Sequence, residues 1–282
     1  MAQHSTPAVL SLVIAVYNKP DILRLVLAAC ARQSKTDFEV IVADDGSGPG
    51  VADAVREAQQ HSFFPITHLW HEDKGWRKNT MLNNAIRAAR TDYLVFIDGD
   101  CLPSRHFLLD HWQEREQETV LLGRRVETSS RWSQNLTMAS IASGSFERYG
   151  WQEWMDGLRG DALRMEDGLR IKSRLLRTLL LRKVRGMLGS NFSAWKQDLA
   201  AINGFDELYD GPGCGEDSDI QFRLSLLGVA AKSLRNLAIQ YHVHHPLTKV
   251  SDACWDRFQE VQKKREPRCR FGLEQLPEPT PH

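Results

Sequence analysis

Residues 91–103, TDYLVFIDGDCLP, run an apolar stretch from Tyr93 to Ile97 straight into Asp98-Gly99-Asp100. The stretch predicts a strand buried on both faces, and the carboxylates mark where it leaves the core. In extended backbone, residues two apart point the same way. Asp98 and Asp100 are therefore expected to address one ligand, with Gly99 letting the backbone come close. Two hard oxygen donors are too few to cage a cation, but they suit a divalent ion that completes its shell from phosphates and water. The structural alternative is a helix start or turn, yet Pro103 and Ser104 already supply those signals.

Upstream of this stretch the chain alternates. VLSLVIAVY (9–17), FEVIVADDGS (38–47) and ITHLW (66–70) read as strands, separated by helical spacing at 20–33, 51–60 and 79–90. A further helix is expected over SRHFLLDHWQERE (104–116) and a strand over TVLLGRRVE (119–127). Apolar strands alternating with helices predict an α/β fold with a parallel sheet covered on both faces. Such sheets bind ligands beyond the carboxyl ends of their strands. Tyr17, Asp44-Asp45 and Asp98-Asp100 all fall at such ends and are expected to converge on one crevice.

Composition narrows the classes. The chain has 282 residues, with Lys+Arg and Asp+Glu both at 36, so bulk charge favours neither nucleic acid nor an acidic partner. No apolar run approaches the roughly 18 residues that span a bilayer, and the start lacks a signal-peptide layout. The five cysteines have no CxxC spacing, which predicts a reducing, cytoplasmic setting with neither a disulfide framework nor a zinc site. The N-x-S/T triplets at Asn135 and Asn191 are then taken as chance.

Four segments in order, LSLVIAVYNKPDIL, FEVIVADDGS, LNNAIRAARTDYLVFIDGDC and NGFDE…GCGEDSDIQFRL, resemble a family 2 glycosyltransferase. The last also resembles a module shared with family 7 galactosyltransferases. Each motif is weak alone; four in order and correctly spaced are specific. The motifs cover 9–127 and 188–245 and leave 128–187 outside. The resemblance implies a GT-A fold, Rossmann-like and mostly parallel, with a helical insertion. Its parts would be a nucleotide-sugar half (1–127), the insertion (128–187), an acceptor-binding and catalytic half (188–250), and a carboxy-terminal helix with a flexible tail (251–282), proline-rich from Pro267.

The resemblance also implies roles. Asp98 and Asp100 match the DxD element, Asp100 as ligand of Mn²⁺ or Mg²⁺ and Asp98 near the donor ribose. Ala15, Tyr17 and Asp44 or Asp45 fall where the family holds uracil, although Ala15 replaces a common proline. Arg77, Lys78 and Asn83 lie in the donor-binding stretch; Leu82 stands where an arginine is common, so diphosphate contact falls to Arg77 or Lys78. Asp217 takes the position of the general base, with Glu216 and Trp195 on the acceptor. The structural alternative for Glu216, Asp217 and Asp219 is that they complement a helix amino terminus, and the two roles are compatible. A histidine beyond the base completes the metal site in related transferases. His242 fits best, with His244 and His245 as alternatives. Strand alternation would put His242 and His244 on one side and His245 on the other, and an imidazole ligand favours Mn²⁺.

The implied activity is inverting, metal-dependent transfer from a UDP-sugar to a glycan or lipid-linked saccharide, as in surface polysaccharide or lipopolysaccharide assembly. A nucleotidyltransferase would show a glycine-rich basic loop after the first strand, and AVYNKPD is not one. A degenerate binding protein would have lost Asp98, Asp100, Asp217 or His242, and all are present. In the insertion, RIKSRLLRTLLLRKVRG (170–186) contains no acid. Arg170, Arg174, Arg177 and Arg185 recur near helical spacing against leucines, which reads as a helix for anionic membrane surfaces or as a lid packing its leucines on the core.

Overall fold

The computed structural model describes residues 7–180, 184–246 and 254–276. The amino-terminal half alternates β1 (Leu10–Val16), α1 (Pro20–Cys30), β2 (Phe38–Asp44), α2 (Pro49–His61), β3 (Ile66–Trp70), α3 (Lys78–Ala88) and β4 (Tyr93–Asp98). Prolines open α1 and α2 at positions where a helix has no use for the missing N–H. The side chains of β1 alternate between two cores. Leu12, Ile14 and Val16 meet Leu23 and Val26 of α1 on one face, while Val13 and Ala15 meet Met81 and Ala85 of α3 on the other.

After a short β5 (Cys101–Pro103) come α4 (Phe107–Glu114), β6 (Thr119–Leu122) and β7 (Arg125–Glu127). The insertion holds the short helices α5 (Ser130–Gln134), α6 (Met138–Ser143), α7 (Trp151–Arg159) and α8 (Arg174–Leu180). The chain then continues through β8 (Phe192–Trp195), α9 (Lys196–Ala201), α10 (Glu216–Leu226), β9 (Ala230–Ser233), β10 (Gln240–His242) and α11 (Cys254–Lys264). The main sheet has the order β3-β2-β1-β4-β8-β6-β9 and the small one β5-β10-β7. In the main sheet only β8 runs antiparallel to its neighbours.

Several expectations need correction. The run 119–127 is two strands in different sheets, because the chain turns at Gly123 beneath Asn191. Asn191 is buried and donates to the carbonyls of Arg124 and Ala238, so its N-x-S triplet lies in the core. Cys214 is disulfide-bonded, whereas Cys30, Cys101 and Cys269 are free and buried. The folded chain, rather than a sequence spacing, creates that bond, and the cysteine argument for a reducing compartment falls with it. Residues 267–276 do not form a loose tail: Asn203 donates to the carbonyls of Cys269 and Glu274, and Glu207 N–H donates to that of Phe271.

Helix α8 inverts the lid expectation. Its Leu175, Leu176, Leu179 and Leu180 are 53–70% exposed. Arg177 turns inward instead, donating to Glu114 at 2.8 Å, and Arg170 pairs with Asp110. Arg182 and Lys183 lie outside the described residues. Among those residues no helix is long and apolar enough to cross a membrane.

The base of α10 rests on buried ions. Arg223 holds both oxygens of Asp219 at 2.9 Å, approaches Asp206 at 3.5 Å and donates to the Glu266 carbonyl. Arg257 of α11 closes on Asp206 from the other side at 2.5 Å. Arg223→Leu should strand the buried carboxylate of Asp219, leaving Asp206 to Arg257, and lower stability by about 3–5 kcal/mol. Denaturant titration showing a loss below about 1 kcal/mol would contradict this account.

Candidate active site

Strand register brings the polar ends together. Ala15 of β1 lies beside Asp98 of β4, and Val16 beside Asp44 of β2. Because β2 and β4 flank β1 on opposite sides, the crevice opens at a topological switch point. A cavity of about 360 Å³ lies there, lined among others by Ala15, Tyr17, Lys19, Asp45, Lys78 and Asp98 to Asp100. Tyr17 is 49% exposed, and its hydroxyl donates to Asp73.

The two adjacent aspartates differ. Asp44 is fully buried, accepts from Ser47 N–H and pairs with His68, so it builds the turn. Asp45 lines the cavity, held by His71 at 2.8 Å and by the Arg77 backbone N–H. The guanidinium of Arg77 turns away to the Glu72 carbonyl. Asn83 lies away from the cavity too: buried on α3, it clamps the backbone of Phe205 and the carboxylate of Glu207. Of the three residues expected to hold the donor from this stretch, Lys78 alone reaches the cavity, with its Nζ 2.6 Å from Asp98. Arg125 approaches Asp98 from the other side at 3.9 Å.

The chain turns at Gly99 and Asp100 before β5, so the two acids are not on one extended strand, yet a carboxylate oxygen of each and the Cys101 sulfur lie within 4.8 Å of one another. Asp98 faces Lys78 and Arg125, while Asp100 faces Lys19 at 2.7 Å and two histidines. Antiparallel pairing of β10 with β5 puts His242 opposite Cys101, next to Asp100. The strand ends at His242, so alternation stops there. The turn swings the Nε2 of His245 to 3.2 Å from both that of His242 and Asp100 Oδ2. His244 is turned away, its backbone N–H held by Ser133 Oγ. Asp100, His242 and His245 offer ligand atoms within 4.8 Å of one another and can hold a divalent ion. Burial opposes ionisation of Asp100, but hydrogen bonds from the two imidazoles and the charge of Lys19 hold its carboxyl well below the usual range.

Asp217 stands at the first turn of α10, behind Gly215 at φ 88°, a left-handed conformation that suits glycine. Its Oδ2 accepts the Gly189 N–H at 2.7 Å; a Cβ on Gly189 would come within 2.2 Å of the carboxylate. Burial and the neighbouring Glu216 push the carboxyl up to about 7, against the pull of Lys78. A carboxyl with that value can take up a proton near neutrality. Glu216 is buried beside it. Trp195 does not join them: it pairs with Tyr93 at the amino end of β4, the far edge of the sheet, and its indole donates to the Glu116 carbonyl.

Sequence motifs did not point to Lys19, Arg125, Glu127 or Gly189. Lys19 sits in YNKPD and Glu127 ends TVLLGRRVE, but only the tertiary pairing gives them partners.

A sequence model of glycosyl transferase family 2 matches residues 11–165, more than half of the 282-residue chain. A second, for the N-terminal domain of galactosyltransferase, matches residues 181–246. Together they take in most of 128–187, which the motifs leave outside. Among curated proteins, chondroitin synthase of Escherichia coli is 28% identical over 255 residues, 84% of this chain and 35% of that protein. Validoxylamine A glucosyltransferase of Streptomyces hygroscopicus subsp. jinggangensis is 35% identical over 101 residues, 35% of this chain and 24% of its own. The chain thus spans about a third or less of these relatives' lengths. S. aureus TarS 1–349 in complex with UDP superposes with a TM-score of 0.56 at 18% identity, covering 90% of this chain and 63% of that one. A mannosyltransferase of Pyrobaculum calidifontis, in complex with GDP-Man and Mn²⁺, gives 0.55 at 17% identity, covering 92% and 62%. These neighbours share the GT-A architecture.

The raised carboxyl of Asp217 has a consequence for stability. Its folded value of about 7 lies above the ordinary 3.8, so the stability it permits is full below about pH 4 and is lost as pH rises to 7. Asp217→Asn removes that loss. Its melting temperature should exceed wild type at pH 8, by about 2–4 °C for each kcal/mol recovered, and converge with it near pH 4. An Asn variant melting at or below wild type at pH 8 would contradict the assignment.

Proposed function

Because the chain belongs to glycosyl transferase family 2, we propose that it is an inverting, metal-dependent hexosyl- or N-acetylhexosaminyltransferase. It moves a sugar from a UDP-sugar to a hydroxyl of a glycan or lipid-linked saccharide, in polysaccharide or lipopolysaccharide assembly. The observation that carries this reading is Asp217, a half-buried carboxylate raised to about 7, electrostatically coupled to Lys78 and Asp98 of the crevice. In the reaction Asp217 accepts the proton of the acceptor hydroxyl as its oxygen bonds to the anomeric carbon. The bond from that carbon to the diphosphate oxygen breaks on the opposite face, which inverts the centre. Glu216, beside the base, orients the acceptor.

The exposed ring of Tyr17 and the fixed carboxylate of Asp45 suit a uracil, stacked on one and donating its imide N–H to the other. Lys19 and Lys78 supply cationic contact for the diphosphate. The donor set of Asp100, His242 and His245 fits a divalent ion. When bound, that ion stabilises charge on the departing nucleoside diphosphate.

A panel of UDP-sugars, incubated with and without Mn²⁺ and followed by UDP release, tests this reading. At least one sugar should give Mn²⁺-dependent release. Asp217→Asn should lower acceptor-dependent turnover by about 10²–10⁴ with UDP affinity retained. Release from none of the panel, or an Asn variant within a few-fold of wild type, would overturn the assignment.

The reading extends to peripheral contact with an anionic membrane. The exposed leucines of α8 are accompanied by exposed Lys172, Arg174 and Arg185, and no acid lies in 170–186. Lipid would take up the leucines and anionic headgroups would attract the cations. Flotation with phosphatidylserine vesicles at low salt should recover the protein. Burial contributes about 1.5–3 kcal/mol per leucine, so Leu175→Asp with Leu179→Asp should reduce recovery at least about tenfold. Wild-type protein that stays unbound would remove the membrane role.

A further inference from the structure

The geometry points to Glu127, at the end of β7, as the positioning residue that aims the His242 imidazole into the ion-binding cluster. The inference rests on the divalent-ion reading above. The two carboxylate oxygens of Glu127 have separate partners: Oε1 accepts from Arg125 Nε at 2.8 Å, and Oε2 lies 2.5 Å from His242 Nδ1. An ionised carboxylate only accepts hydrogen bonds, so the proton of this contact belongs to Nδ1. The Nε2 of His242 then points the other way, 3.6 Å from Asp100 Oδ1.

His245 repeats the arrangement by other means. Its Nδ1 lies 2.9 Å from the Pro246 carbonyl oxygen, which also only accepts, so the Nδ1 carries a proton and the Nε2 is turned inward. Two imidazole Nε2 atoms 3.2 Å apart and a carboxylate converge on one point. With both Nδ1 atoms committed outward, the two Nε2 atoms and the carboxylate form the ligand set once a divalent ion displaces their protons and the Lys19 contact. Outer carboxylates of this kind fix the tautomer and ring orientation of metal-binding histidines.

Glu127 is itself held on three sides. Its backbone N–H and carbonyl pair with Leu163 of the insertion, at 3.0 and 2.9 Å. Parallel register with β10 places it beside His242. Arg125, which shares its carboxylate, reaches toward Asp98. One residue thus joins the ion cluster, the donor crevice and the insertion.

The test uses Mn²⁺ alone, titrated by calorimetry into the whole metal-free protein. Glu127→Ala should weaken Mn²⁺ binding by about 10–100-fold with an unchanged melting temperature. In ¹⁵N spectra of the histidine rings, the Nδ1–H signature of His242 should be lost. Glu127→Gln keeps an amide oxygen able to accept from Nδ1, so it should retain the tautomer and bind more tightly than the alanine variant. It also serves should the alanine variant fail to fold, when a Gln variant without the Nδ1–H tautomer would overturn the proposal. Wild-type protein that binds no Mn²⁺ refutes the ion reading and this proposal together. Wild-type binding beside a folded Glu127→Ala of equal affinity refutes the positioning role alone.

Discussion

The parallel pairing of β1 with β2 on one side and β4 on the other is the constraint from which the site follows. It aligns Val16 with Asp44 and Ala15 with Asp98, so three chain segments leave the sheet at one level. A one-residue slip in either pairing would exchange the faces of an entire strand and move Leu12 and Ile14 out of their core. The apolar packing that fixes the register therefore also fixes the spacing of the polar groups at its edge. The Gly99 N–H bond to the Ala15 carbonyl, at 2.6 Å, draws the turn after β4 tight against β1.

A second, smaller pairing completes what the first begins. The ribbon β5-β10-β7 sets His242 opposite Cys101 and beside Glu127. It carries a histidine from the far end of the chain to the residue after Gly99. Asn191 braces this meeting by bonding the carbonyls of Arg124 and Ala238, one on the approach to β7 and one on the approach to β10. Opposite it, Gly189 allows the Asp217 carboxylate to settle against backbone. The Asp217 carboxylate and the Asp100, His242 and His245 cluster thus depend on neighbouring positions of one loop.

Much of this was legible in the sequence, because the relevant signals are local. The strand at 93–98, the alternation before it and the Asp98-Gly99-Asp100 break follow from periodicity, and ITHLW at 66–70 matches β3 residue for residue. What sequence periodicity misses are features fixed by contacts between distant segments. Asn83 sits within a stretch that resembles a donor site, yet its amide is consumed by Phe205 and Glu207. Trp195 follows a plausible strand, but that strand runs antiparallel to β4 and carries the indole to the wrong edge. His245 and His244 are separable only once β10 is known to stop at His242. Amphipathicity located α8, whereas the direction its leucines face depends on Glu114 and Asp110, which claim Arg177 and Arg170.

The pairing of Lys78 with Asp98 and of Lys19 with Asp100 bears on how a ligand finds the crevice. Each acid of that turn already has a lysine in contact, and Asp45 is hydrogen-bonded to His71. Those two acids are thus compensated at contact range, and the chain's equal numbers of acidic and basic residues leave no net charge to steer a ligand. A polyanionic ligand would arrive by unguided diffusion, with an encounter rate nearly indifferent to ionic strength. Discrimination would begin only at contact, when phosphate oxygens compete with the carboxylates for the lysines and free those carboxylates for other partners.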